Sequence, residues 1–98
     1  MVDRLKFTQI ILREIKQINY LYAVDILRQL SKRHDGMPIS EFFDFFKGRS
    51  RLDVWETLMS LCEFGLIAKT PENKADTLFF ITPKGIDKLQ MINACLRL

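Results

Sequence analysis

The stretch "SRLDVWETLMSLCEFGLIAK", Ser50 to Lys69, decides the fold class. Val54, Leu58 and Leu61 recur at helical spacing and form one apolar stripe. Ser50 precedes them as an N-cap. Asp53 stands three residues on, which makes a Ser-x-x-Asp capping box with a carboxylate at the positive end of the helix dipole. Gly65 stops the helix, and "LIAKT" (Leu66 to Thr70) reads as a strand.

Downstream, "TLFFI" (Thr77 to Ile81) reads as a second strand. The six residues between the two, "PENKAD", are polar and turn-prone, so positions 66–81 form a hairpin with a longer loop. Thr82 as N-cap and Pro83 at the first helical position open the last helix, "KGIDKLQMINACLRL".

Upstream, no Pro or Gly appears before Gly36, so the first third reads as helix. Asp3 can cap it, and Ile11, Ile15, Ile18 and Tyr22 follow at helical spacing. One helix to Arg33 is long for so small a domain, so a break at Asn19 is expected. That leaves Asp3–Ile18 and Tyr20–Lys32, the second burying Ala23, Ile26, Leu27 and Leu30. Gly36 ends it, Met37 to Ile39 makes a very short strand, and Ser40 caps a brief helix, "EFFDFF". Its phenylalanines at 42, 43, 45 and 46 cannot all face one small core.

The chain has 98 residues, enough for one domain with a modest core, and no internal repeat. Hydrophobic residues make up 48% and charged residues 28%, a globular balance. The net charge of +3 leans mildly toward anionic partners. The longest apolar run, "YLYAV", is far short of a membrane span, and "MVDRLKFTQ" lacks the apolar core of a secretory signal. A cytoplasmic protein with no membrane contact is expected. Cys62 and Cys95 are too far apart for a CxxC motif; they are free thiols in an ordinary cytosol, or disulfide partners in a hyperthermophile.

The pattern V-x-x-x-L-x-x-L-x-x-x-G-L-I, carried by Val54, Leu58, Leu61 and Gly65-Leu66-Ile67, resembles the recognition helix and following strand of winged helix-turn-helix regulators. "FFITPKGIDKL" resembles the exit from the wing in MarR- and PadR-like regulators, where a strand runs through L-T-x-K-G into a dimerisation helix. The resemblance covers roughly residues 20 to 96. It implies a mainly α fold with a small β-hairpin wing, a helix-turn-helix over 40–65, and extra terminal helices over 1–18 and 83–98. It also implies a homodimeric transcriptional regulator that puts the helix Ser50–Phe64 into the major groove of double-stranded DNA at a palindromic site.

The residues support the dimer independently. Both terminal helices carry apolar stripes beyond what one small core needs. The expected interface is Leu5, Ile11, Ile15 and Ile18 from the first helix with Leu89, Ile92, Cys95 and Leu96 from the last.

The recognition helix departs from the family pattern. A wheel of 100° per residue sends Leu52, Glu56, Met59 and Glu63 outward, with no cation among them. Only the N-terminal part of such a helix usually reaches base edges. There the chain supplies Lys47, Arg49, Ser50 and Arg51, which suit phosphate and guanine contacts. Glu56 either accepts from a cytosine amino group or repels phosphate. Trp55 either stacks on DNA or packs against the Phe-rich helix, and packing is the commoner fate. Lys69 and Lys84 at the base of the wing, and Lys74 within it, suit phosphates or plain solvation equally. Arg28, Lys32 and Arg33 fit a helix end through the dipole alone.

Catalysis is not expected: the chain has one histidine, in a polar "KRHDG" turn, and no phosphate loop, HExxH or nucleophile elbow. No metal or other cofactor is expected. The alternative to a DNA-binding regulator is a winged-helix protein-interaction module that uses Trp55, Met59 and the Phe-rich helix.

Overall fold

In the computed structural model, residues 4–13, 19–70 and 77–96 are described. Among these residues five helices accompany a three-stranded antiparallel sheet: α1 (Arg4–Ile11), α2 (Tyr20–Ser31), β1 (Met37–Pro38), α3 (Ile39–Phe45), α4 (Arg51–Glu63), β2 (Ile67–Lys69), β3 (Leu78–Ile81) and α5 (Pro83–Leu96). The winged-helix order expected from the sequence is present.

The break before α2 has a local cause. The Asn19 side chain accepts hydrogen bonds from the backbone N–H groups of Leu21 and Tyr22, at 3.1 and 3.2 Å, and so satisfies two donors that a helix start leaves orphaned. The first helix is shorter than its apolar period predicts: α1 ends at Ile11, where Lys88 of α5 donates to the Ile11 carbonyl at 3.3 Å. A cation there meets the negative end of the helix dipole. Glu14 to Ile18 lie outside the described residues.

One other expectation needs correction. Ser40 does not cap α3; the helix starts at Ile39, directly after the extended Pro38. Pairing with β3 holds Met37 and Pro38 in place, so the chain turns from strand into helix before it reaches the serine. The wing hairpin of β2 and β3 is present as expected, and β1 joins it as a third strand. Strand β3 lies in the centre, with Met37 opposite Phe79 on one side and Ile67 opposite Ile81 on the other.

One core cluster takes side chains from every element. Helix α2 lies at its middle and buries Ala23, Val24, Ile26, Leu27 and Leu30. Each fully buried Leu, Ile or Phe contributes about 1.5–3 kcal/mol through apolar area removed from water. The four phenylalanines divide as their crowding requires: Phe42 and Phe46 are buried, Phe43 is half-buried and Phe45 stays 46% exposed. Phe42 meets Phe79 edge-on, with ring centres 5.6 Å apart, and so joins α3 to the sheet.

The expected subunit interface is partly core. Ile11, Leu89 and Ile92 are buried within this chain, because α1 and α5 pack on one another. They fill the domain and present no free surface. Among the described side chains of these helices, the large exposed apolar ones are Ile10, Ile86 and Met91. Cys95 is half-buried; Leu5 and Leu96 lie within α1 and α5, and Ile15 and Ile18 fall outside the described residues.

Candidate nucleic-acid interface

The start of α4 is built by its cap. Ser50 Oγ accepts from the Asp53 backbone N–H at 3.2 Å, as the Ser-x-x-Asp spacing predicts. Val54, Leu58 and Leu61 are buried, as their period requires. Thr57 is buried with them, a position the apolar pattern misses. Its hydroxyl donates to the Asp53 carbonyl at 2.7 Å, so the polar atom is satisfied inside the helix and the methyl is free to pack.

The turn from α3 into α4 carries Lys47, Arg49 and Arg51 in alternation with Gly48 and Ser50, and all three cations are exposed. The Arg49 N–H donates to the Phe46 carbonyl at 2.9 Å and fixes this turn. Arg51 lies over the ring of Phe43, 5.1 Å from its centre, so α3 holds the first cation of α4. A groove of about 480 Å³ opens beside the turn, with Phe45, Lys47 and Arg49 on one wall and Leu21, Tyr22 and Asp25 on the other.

The outer face of α4 follows the helical wheel at three of its four positions; the fourth, Met59, is half-buried against the core instead of pointing outward as expected. Leu52 is 64% exposed, Trp55 is 41% exposed, and Glu56 and Glu63 point to solvent. Trp55 is therefore an exposed flank, and no described ring contact joins it to the Phe-rich α3.

The far end of α4 is a junction, and it changes the reading of Lys84. Gly65, at φ +77°, donates to the Cys62 carbonyl at 3.0 Å, and Leu66 donates to Leu61 at 3.0 Å. This pair of bonds is a Schellman close, for which a left-handed glycine is suited. The Thr82 hydroxyl lies 2.6 Å from the Gly65 carbonyl and 2.9 Å from that of Leu66, while its oxygen accepts from the Gly85 N–H at 3.1 Å. Lys84 Nζ donates to the Phe64 carbonyl at 2.9 Å. Lys84 thus caps the C-terminus of α4, a structural role that competes with a phosphate contact. Lys69 is exposed on β2, and Lys74, in the wing loop, lies outside the described residues.

The Arg28 and Arg33 region is likewise structural. Arg33 makes a two-pronged contact with Glu41, at 2.7 and 3.2 Å, that ties the end of α2 to α3. Arg28 donates to the Asn93 side chain at 3.5 Å. Cys62 and Cys95 are free thiols, and burial pushes the Cys62 thiol above its ordinary range against the opposing pull of Lys69. Among the described residues no cluster of His, Cys, Asp and Glu is placed to hold a metal ion. No helix among them is long and apolar enough to cross a membrane.

No protein-family model and no curated protein sequence matches this chain; the similarity is structural. RV1404 from Mycobacterium tuberculosis superposes with a TM-score of 0.72 at 16% identity, over 96% of this chain and 61% of that one. Staphylococcus aureus MarR, solved with salicylate and kanamycin, gives 0.68 at 23% identity, over 95% of this chain and 61% of that one. A variant of S. aureus MepR bound to an oligodeoxyribonucleotide gives 0.71 at 15% identity, over 96% and 68% respectively. This chain therefore spans about three-fifths to two-thirds of the length of these relatives. The protein has the winged helix-turn-helix fold of the MarR-type regulators.

Proposed function

We propose that this chain is a DNA-binding transcriptional regulator that enters the major groove by the N-terminal corner of α4. The observation that carries the reading is the Ser50-capped start of α4 with Lys47, Arg49 and Arg51 exposed around it, in a fold shared with a structural neighbour bound to an oligodeoxyribonucleotide. Lys47 and Arg49 suit the phosphates beside the groove, and Arg51 suits a guanine edge or a phosphate. The Ser50 hydroxyl is already used in the cap, so its part is to orient the corner. Lys69, exposed at the base of the wing, extends the positive border of the site.

A homodimer would carry two such corners and favour a palindromic site, since a two-fold axis in the protein is mirrored in the DNA. Ile10, Ile86 and Met91, exposed on α1 and α5, support an apolar contact between copies.

One feature favours a second reading. Leu52 and Trp55 are exposed on α4 beside Glu56, a face that also suits a protein partner. Salt dependence separates the two. If the chain binds DNA, fluorescence anisotropy with a mixed-sequence duplex gives a log K that falls steeply with log salt. Negligible, salt-independent binding at low ionic strength overturns the DNA reading in favour of a protein partner.

A further inference from the structure

We infer that Leu52 reads a thymine methyl group in the major groove; this rests on the DNA-binding reading above. Leu52 is more exposed than the other large exposed hydrophobic side chains, at 64%. It is the second residue of α4 and lies about 170° around the helix from the centre of the stripe formed by Val54, Thr57, Leu58 and Leu61. It is thus the first-turn side chain aimed most directly away from the core. The fold gives it no packing role that would account for an apolar residue at this place.

Its surroundings identify the occupant. Arg51 precedes it, and Arg49 and Lys47 stand on the turn just before. An apolar protein surface brought onto Leu52 would strip water from these cations without pairing them, which is costly. A duplex groove meets both needs at once. The phosphates along its edges pair the cations, and the C5 methyl of thymine is an apolar point on its floor. Trp55, three residues on, is a neighbour on the helix surface and extends the apolar ledge. Asp53 adjoins Leu52 in the first turn and Glu56 lies one turn further along the same face, so the leucine sits where the cations of the turn meet the first carboxylates of the helix.

The test uses the intact chain and a preferred site selected from a random duplex pool. Each thymine of that site is replaced in turn by deoxyuridine, which removes the C5 methyl and leaves the base-pairing edge unchanged. The expected result is about fourfold weaker binding at one thymine per bound copy, the loss that corresponds to one buried methyl group. In Leu52→Ala the ratio of thymine to uracil affinity falls to about one, and in Leu52→Met it is kept. Equal affinity for both bases at every position overturns the inference, as does discrimination that survives in Leu52→Ala. A steep salt dependence with no thymine discrimination removes only the role of Leu52. Absence of salt-dependent binding removes the DNA reading and this inference with it.

Discussion

The guanidinium of Arg51 lies 5.1 Å above the centre of the Phe43 ring. The two residues come from successive helices, so the stack fixes the first side chain of α4 against the helix before it. A cation held in this way loses less freedom when it meets a phosphate or a guanine. Replacing Phe43 by Leu keeps apolar bulk and removes the π face. Such a contact is worth about 0.5–1 kcal/mol at an exposed site, so DNA affinity is expected to fall about two- to fivefold. Anisotropy titration checks this, with a thermal melt to separate any loss of stability. Unchanged affinity means that the stack does not position Arg51.

Arg49 and Lys84 are both exposed cations near α4, yet they are expected to behave differently. Arg49 stands free at the proposed corner, whereas Lys84 Nζ is held by the Phe64 carbonyl at 2.9 Å. Arg49→Ala is expected to lower the slope of log K against log salt by about 1, the signature of one lost phosphate contact, and Arg51→Ala to act likewise if it pairs a phosphate. Lys84→Ala is expected to leave that slope unchanged and to lower the melting temperature slightly. An equal loss of slope in Lys84→Ala would return it to the interface.

Gly85 is expected to tolerate no side chain. A Cβ placed there collides with the Leu66 carbonyl oxygen and approaches Ile81 to within 2.9 Å. The obstacle is backbone, which cannot rotate aside as a side chain does. Gly85→Ala is therefore expected to destabilise the domain by about 1–3 kcal/mol, read from denaturant unfolding. A variant as stable as the parent would mean that the junction of α4 and α5 is looser than its hydrogen bonds indicate.

The Cys62 thiol gives a pH-dependent readout. Burial raises its pKa, the larger effect, and the nearby Lys69 opposes this. Only the thiolate reacts, so a raised pKa means less of the reactive form at a given pH. Iodoacetamide is expected to label Cys62 more slowly in the native protein than in urea at pH 8, with the native rate climbing as pH rises. Peptide mass spectrometry separates Cys62 from Cys95. Equal rates in the two states would show that burial does not protect this thiol.

Much of the fold is legible along the chain because local signals agree with one another. Ser50 caps the helix that Val54, Leu58 and Leu61 bury, Gly65 closes it, and Thr82 opens the next. Asn19 starts α2 by offering its side chain to two orphan donors. Such caps depend on residues within three or four positions, so spacing alone reveals them. The start of α3 is not legible in this way, because pairing between β1 and β3 overrides the serine.

The candidate site divides along the same line. Sequence alone determined the helix-turn-helix, the wing strands, the cationic corner at Lys47, Arg49 and Arg51, and the outward aim of Leu52 and Glu56. All of these follow from helical period and near-neighbour chemistry. Tertiary structure alone decided that Lys84 caps α4, that Arg51 stacks on Phe43, that Gly85 faces the Leu66 carbonyl, and that Ile11, Leu89 and Ile92 belong to the core. Each of these joins two elements distant along the chain or packed across a turn. No periodicity records which cation meets a carbonyl, or which of two apolar stripes turns inward, until the helices have packed.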